Sequence, residues 1–250
     1  MIPMPAPFLR PKILAAVFGC ALCLASPASA QPRPMPVATN DESGFVQLFD
    51  GKSLSGWEGD PQYWRVEDGA LVGEVTATNL LKQNSFIVWR GGEAGDFDLK
   101  MEYRVSAKGN SGINYCSSMA TNFGPWAMRG YQADIDGRNQ YTGQNYEEKG
   151  RQFLALRGQV TRITEAAPPQ IIGSLGATND LISVIKNEDW NEFHIIARGG
   201  VLTHILNGRV LSVVMDDDAK SRTLTGLIGV QVHVGPPMKI EYRNIRLKRR

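Results

Sequence analysis

The sequence predicts an all-β chain folded as an antiparallel β-sandwich or barrel. Three observations carry that expectation. From Gly44 onward apolar residues recur with a period of about two, not the ~3.6 of a helix. Turn-forming pairs such as Asp68-Gly69 and Asn207-Gly208 punctuate the chain at short spacing. No stretch carries a long helical stripe.

The elements follow in order. Phe45 to Phe49 reads as a strand closed by Asp50-Gly51. Tyr63 to Glu67 and Ala70 to Glu74 flank Asp68-Gly69 as a hairpin. Ser85 to Trp89 is a further apolar run. Asp96 to Val105 alternates cleanly, with Phe97, Leu99, Met101, Tyr103 and Val105 on one face. Asp98, Lys100, Glu102 and Arg104 take the other, which predicts a wet outer face. Gly109 to Gly112 reads as a turn into Ile113 to Tyr115, and Gly130 to Asp136 is the next strand. Phe153 to Arg157 and Gln159 to Thr164 are expected to pair about Gly158. Ala166 to Asn179, with Pro168-Pro169, reads as a loop. Asn191 to Ala197, Val201 to Leu206 and Arg209 to Val214 form a meander through Gly199-Gly200 and Asn207-Gly208. Leu227 to Val234 and Met238 to Lys248 close the chain. Strands at both ends of this region suit a two-sheet sandwich.

The chain has 250 residues, 42% hydrophobic and 21% charged, enough for one sizeable core. A net charge of +2 gives no electrostatic case for nucleic acid or an anionic membrane. Residues 1–30 read as a cleaved signal peptide. Arg10 and Lys12 precede the apolar run Ile13 to Ala25, and Ala28-Ser29-Ala30 is a small-x-small cleavage site. The run is too short for a stable membrane anchor. The expected location is therefore secreted or periplasmic. Residues 31–43, rich in proline and small polar residues, read as a flexible linker. Residues 44–250 are then a single β-sandwich domain. Once residues 1–30 are removed, Cys116 is the sole cysteine, so the domain is expected to be held by its core.

Ionisable groups concentrate between Gly130 and Arg151. On the strand Tyr131 to Asp136, alternation puts Gln132, Asp134 and Asp136 on one face and Tyr131, Ala133 and Ile135 on the other. Three polar groups on one strand face suggest a groove. The segment that follows is expected to bring Tyr146, Glu147, Glu148 and Arg151 from a loop. His233 and Gln231 share a face, with Val230, Val232 and Val234 opposite, which suits a site wall. His233 is placed to move protons near neutral pH. Asn110 and Ser111, in the expected turn, could contact a polar substrate. Trp126 is the tryptophan best placed to stack on a ring. His204 could contact substrate, although its face, shared with Leu202 and Leu206, suits the core. His194 reads as structural. Asp216-Asp217-Asp218 reads as a solvated acidic loop. No cofactor is certain. A divalent cation such as calcium could be held by Asp134, Asp136, Glu148 and His233, but no recognised ligand spacing is present.

Several phrases resemble the 3-keto-disaccharide hydrolase family. They are the run Phe45 to Trp57 (FVQLFDGKSLSGW), Asp96 to Lys100 (DFDLK), Gly109 to Ile113 (GNSGI) and Gly130 to Ile135 (GYQADI). Asp189 to Glu192 (DWNE), His204 to Gly208 (HILNG), Gly229 to His233 (GVQVH) and Tyr242 to Arg246 (YRNIR) continue the match. The resemblance spans Gly44 to Lys248. It implies a concanavalin A-like jelly roll and a carbohydrate substrate bearing a ketone at C3. One departure stands out. The family pattern often carries Arg after the Asn-Ser-Gly-Ile-x-Tyr phrase, where this chain has Cys116.

Such a substrate needs a base near C2, a donor or cation near the C3 oxygen and an acid near the glycosidic oxygen. Asp134 or Glu148 is the expected base, with Arg151 as electrophilic support. Two other readings stay open at this point. A lectin-like carbohydrate-binding module would lack cleavage. An ordinary glycosidase would need two carboxylates set across the scissile bond.

Overall fold

The computed structural model describes Met1 and residues 42–250. Residues 2–30 of the expected signal peptide and residues 31–41 of the expected linker lie outside the described residues. The described residues form seventeen strands. These are β1 (Val46–Gln47), β2 (Trp57–Glu58), β3 (Trp64–Glu67), β4 (Ala70–Val75), β5 (Ser85–Ala94) and β6 (Phe97–Val105). Next come β7 (Asn110–Met119), β8 (Met128–Asp136), β9 (Asn145–Glu148), β10 (Gln152–Ala155), β11 (Gln159–Ile163) and β12 (Gln170–Ser174). The last are β13 (Asn191–Arg198), β14 (Val201–Leu206), β15 (Arg209–Asp216), β16 (Gly226–Val232) and β17 (Met238–Arg249).

They build two sheets. One has ten strands, in the order β12-β11-β15-β14-β13-β6-β17-β4-β3, with β1 added against β17. The other has seven, in the order β10-β9-β8-β7-β16-β5-β2. Pairing is antiparallel except between β11 and β15. The sheets face each other across one apolar core that draws on both. Phe97, Leu99 and Met101 of β6 meet Ile113 and Tyr115 of β7 and Tyr131, Ala133 and Ile135 of β8 there. Phe97 and Tyr115 pack edge to face with centroids 6.0 Å apart. This is the expected two-sheet sandwich, and its cause is the period-two pattern.

The short turns behave as their residues dictate. Glu67 pairs with Ala70 across Asp68 (φ 50°) and Gly69 (φ 78°). Leu206 pairs with Arg209 across Asn207 (φ 48°) and Gly208 (φ 80°). Two consecutive positive φ angles match the right-handed twist of the flanking strands.

Four expectations need correction. Asn110 to Gly112 opens β7 instead of forming a turn. Gln170–Ser174 is an edge strand inside the expected loop, and the short helix α1 (Thr178–Ile182) follows it. The segments on either side of Gly158 do not pair. β10 joins β9 in the seven-stranded sheet, while β11 joins β15 and β12 in the other. Gly158, at φ 94°, donates its N–H to Leu211 O (2.7 Å), and the chain crosses between sheets there. Finally, the outer face of β6 is wet only at Glu102 and Arg104, which stay partly exposed. Asp98 is buried and takes His194, Arg198 and Arg250, and Lys100 is buried against Glu42 (2.6 Å). Glu42 lies in the expected linker, yet Arg246 and Lys100 hold its carboxyl down to about 2. Among the described residues no helix is long and apolar enough to cross a membrane.

His204 is a core residue and does not contact the cleft described below. It lies between the rings of Tyr115 and Phe193, with centroids 5.7 and 5.6 Å away. Its Nδ1 faces Gln144 O (3.2 Å), which can only accept, so Nδ1 carries the proton. Nε2 then accepts from Tyr115 O–H (2.8 Å). Burial pushes its pKa down to about 3 from 6.5. The unfolded chain binds the extra proton first, so stability falls as pH drops from about 6.5 toward 3. Each pH unit in that window costs about 1.4 kcal/mol. Urea unfolding of wild type and His204→Gln at several pH values between about 4 and 7 should show the slope flattened in the variant. Equal slopes would remove His204 as the cause.

Candidate functional site

The site is built on the outer face of the seven-stranded sheet. A cleft of about 540 Å³ opens there, floored by β7, β8 and β9. β8 explains why it is polar. Tyr131, Ala133 and Ile135 point into the core, so Gln132 and Asp134 must point out. β9 lies antiparallel beside it, with Gln132 opposite Tyr146 and Gly130 opposite Glu148. Tyr146 and Glu148 therefore share the outer face with Gln132 and Asp134. They come from a strand, not from the expected loop.

Asp134 is the centre of this surface. Gln132 donates Nε2–H to its Oδ1 (2.8 Å), and Gln231 donates Nε2–H to Gln132 Oε1 (3.0 Å). The two carboxamides form a relay that orients the carboxyl. Gly112 makes the relay possible. It lies opposite Asp134 on β7, and a Cβ there would collide with Cγ, Cδ and Nε2 of Gln132. The Gln132 side chain thus uses the space a larger residue would fill. Burial pushes the Asp134 pKa up to about 8, and the nearby charges of Glu148 and Asp136 add to the rise. The Gln132 hydrogen bond pulls the other way.

Glu148 is buried at the other end of the cleft. Asn84 donates Nδ2–H to it (3.4 Å) and Lys149 Nζ lies 3.5 Å away. His233 follows directly after β16 and lines the cleft. Its Nδ1 is 2.6 Å from Val234 O, an acceptor only, so Nδ1 bears hydrogen and Nε2 is left for other partners. Asn110 also lines the cleft. Tyr141 stacks on Phe153 (6.0 Å), and Tyr146 meets Phe153 edge to face (5.1 Å), which gives the cleft an aromatic end.

Several expected site residues fall elsewhere. Arg151 is not in the cleft. It reaches Glu147 (2.6 Å) and Asp216 (2.6 Å) instead. Burial lowers its pKa, but hydrogen bonds to Asp216 and Glu147 outweigh that and hold it above the ordinary arginine value. Asp216 also accepts from Tyr131 O–H (2.6 Å) and is buried, so the acidic run at 216–218 is not a solvated loop. Ser111 faces the core and bonds Gln231 O (2.5 Å) and Tyr242 O–H (2.7 Å). Alternation along β7 separates it from Asn110. Gln231 is buried beneath the cleft and acts on Gln132. Asp136 organises the turn after β8 by accepting from Arg138 N and Gln140 N (3.2 and 2.8 Å). Trp126 lines an adjoining cavity. Cys116 is buried in the core at a bulge of β7, with φ 45°. Burial pushes its thiol up to about 12, so the departure from the family pattern does not place a reactive thiol in the cleft.

Asn84 and Lys149 have no counterpart in the sequence reading. Asn84 merely precedes a strand, and Lys149 is one of many lysines. The signal that could have found Lys149 is the Lys149-Gly150 pair, since Lys149 takes a positive φ of 55°. Among the described residues no three Asp, Glu, His or Cys side chains converge as metal ligands.

The family described as the 3-keto-alpha-glucoside-1,2-lyase-like domain matches residues 44–248. The chain belongs to this family. Over 101 residues it is 33% identical to the 3-keto-disaccharide hydrolase of Bacteroides thetaiotaomicron. That match covers 33% of this chain and 30% of the relative, so the chain spans less than a third of that protein's length. Among solved structures, one from Parabacteroides distasonis, classed provisionally as a glycosyl hydrolase, is 19% identical with a TM-score of 0.54. It covers 87% of this chain and 100% of that one. A carbohydrate-binding module from Bacillus subtilis is 14% identical with a TM-score of 0.51, covering 77% and 95%. At these identities the likeness is one of fold.

The cleft carries a stability cost at Asp134. Its folded pKa (about 8) lies above the ordinary 3.8, so its contribution to stability is fully present below about 3.8 and is lost as pH rises to about 8. Asp134→Asn should therefore melt at a higher temperature than wild type, by an amount that grows from about pH 4 to pH 8. Calorimetry across that range checks it, and a difference independent of pH would count against a raised pKa.

Proposed function

We propose that the cleft cleaves glycosides of sugars oxidised to a ketone at C3, with Asp134 as the base. The observation that carries this reading is a buried carboxyl, held by a neutral carboxamide and pushed up to about 8, in the cleft of a chain from this family. A carboxylate of that basicity is matched to removing a carbon-bound proton made acidic by a neighbouring carbonyl.

The steps follow from the chemistry of a C3 ketone. Asp134 takes the C2 proton, and the electron pair moves into a C2–C3 enolate. Lys149, at the cleft wall, stabilises the charge on the C3 oxygen, the task first given to Arg151. The enolate then expels the glycosidic oxygen from C1, and that oxygen takes from Asp134 the proton removed from C2. The product is a 1,2-unsaturated keto sugar plus the free alcohol. Water adding across C1 and C2 completes a net hydrolysis. The family description names a lyase and the relative a hydrolase, and one cleft running these two stages accommodates both.

Asp134 and Glu148 in the same cleft are also the equipment of an ordinary glycosidase, which supports that as the second reading. A 3-keto-disaccharide and its unoxidised parent separate the two. The oxidised sugar alone should be cleaved, with and without a chelator. Cleavage of both at similar rates would favour the glycosidase. Asp134→Asn should lower turnover roughly 10²-fold or more. The rate on the oxidised sugar should rise with pH and level off above about 8. Loss of activity with chelator would assign the C3 oxygen to a divalent cation such as calcium. The N-terminal segment suits export, so action outside the cytoplasm belongs to the same proposal. An N-terminus at Gln31 in the exported protein would support it.

A further inference from the structure

Beside the main cleft lies a second cavity of about 230 Å³. Asn84 lines both. Two segments, residues 80–85 and 125–127, form most of its wall, closed by Asp60 and Tyr63. The segments are locked together. Gly124 has a φ of 134°, and the Gln83 side chain occupies the place its Cβ would take. Trp126 is fixed at its backbone, where its carbonyl accepts from Phe86 N–H (2.9 Å) at the start of β5. The backbone on both sides of the cavity is therefore held in place.

Its wall has two characters. Tyr63, Leu80, Pro125 and Trp126 are apolar, and Leu80 stays 53% exposed. Asp60, Lys82, Gln83, Asn84 and Ser85 are polar. A purely apolar guest would strip water from Asp60 and Asn84 without replacing it. A purely polar guest would leave the indole and Leu80 unmatched. A hexopyranose satisfies both, with a C–H face for the indole and hydroxyls at its edge. Asn84 marks the passage between the cavities. Its Oδ1 accepts from Val234 N–H (3.0 Å), which turns its Nδ2 donors toward Glu148 at the cleft (3.4 Å).

We infer that this second cavity is the leaving-group subsite, that it takes a hexopyranose stacked on Trp126, and that Asn84 donates to the glycosidic oxygen where the substrate passes between the two. The inference rests on the proposed cleavage of 3-keto glycosides, with the oxidised ring in the main cleft. It makes the protein selective for disaccharides over glycosides of small alcohols.

The full chain and Trp126→Ala are compared on three 3-keto-glucosides whose leaving groups are glucose, phenol and methanol. The variant should lose roughly tenfold in kcat/KM on the glucose-leaving substrate, about 1.4 kcal/mol of transition-state binding, and keep the methanol-leaving rate. Equal losses on both, or none on either, overturn the inference. A larger loss with phenol than with glucose overturns the assignment to a sugar ring. A second measurement does not need turnover. The indole N–H resonance of Trp126, assigned by its absence in the variant, should shift on titration with glucose, in wild type and in Asp134→Asn alike. A resonance that does not move with glucose, or moves with phenol alone, counts against the subsite. If none of the three substrates turns over, the proposed activity fails, while the resonance still decides what the cavity binds.

Discussion

A carboxyl group kept from water must be held by something, and here the holder is neutral. Asp134 takes its hydrogen bond from Gln132, which is steadied in turn by Gln231. An arginine in that place would fix the carboxyl as an anion and make it a poor base. A carboxamide orients it while leaving the proton mobile. That arrangement depends on β8, whose other face supplies Tyr131, Ala133 and Ile135 to the core. Core and cleft are two sides of the same strand, so the packing that holds the sandwich together also fixes the direction of Asp134.

Charge is handled differently on the other side of the sheet. Arg151 joins Glu147 of β9 to Asp216 of β15, and Tyr131 of β8 reaches the same Asp216. These contacts tie the seven-stranded sheet to the ten-stranded one at the edge of the cleft. Breaking one partner of such a buried set leaves a charge without a match, which costs far more than the pair itself contributes. The cluster thus sets the spacing of the sheets near the site rather than acting on substrate.

What was legible in the sequence was whatever depends on backbone geometry alone. The outward face of Gln132 and Asp134 follows from a period of two, and so do the hairpins at Asp68-Gly69 and Asn207-Gly208. Glu148 was found as a residue but not as part of a strand, because Asn145–Glu148 is short, polar and bounded by a turn. The place of Arg151 is not legible, because its partner Asp216 is 65 positions away and charge pairing carries no local mark. The outer face of β6 read as wet for a similar reason. Its cover comes from Glu42 at one end of the described chain and Arg246 and Arg250 at the other. Ser111 goes with Asn110 if the two share a turn, and a strand that starts three residues earlier, at Asn110 instead of Ile113, sends them to opposite faces. Asn84 and Lys149 belong to no pattern, and only the closed fold brings them to the cleft.

The placement of β17 has a consequence for how the molecule comes into being. Met238–Arg249 lies between β6 and β4 in the interior of the ten-stranded sheet, and β1 adds to it as well. Until those last residues arrive, β4 and β6 have no shared neighbour and the larger sheet exists as two pieces. A chain emerging from the ribosome can make its hairpins early, but its core cannot close before Met238–Arg249 has emerged. Loop closure over more than a hundred residues then precedes the final gain in packing, a slow route for a β-rich chain. The last strand is therefore a seam rather than a tail.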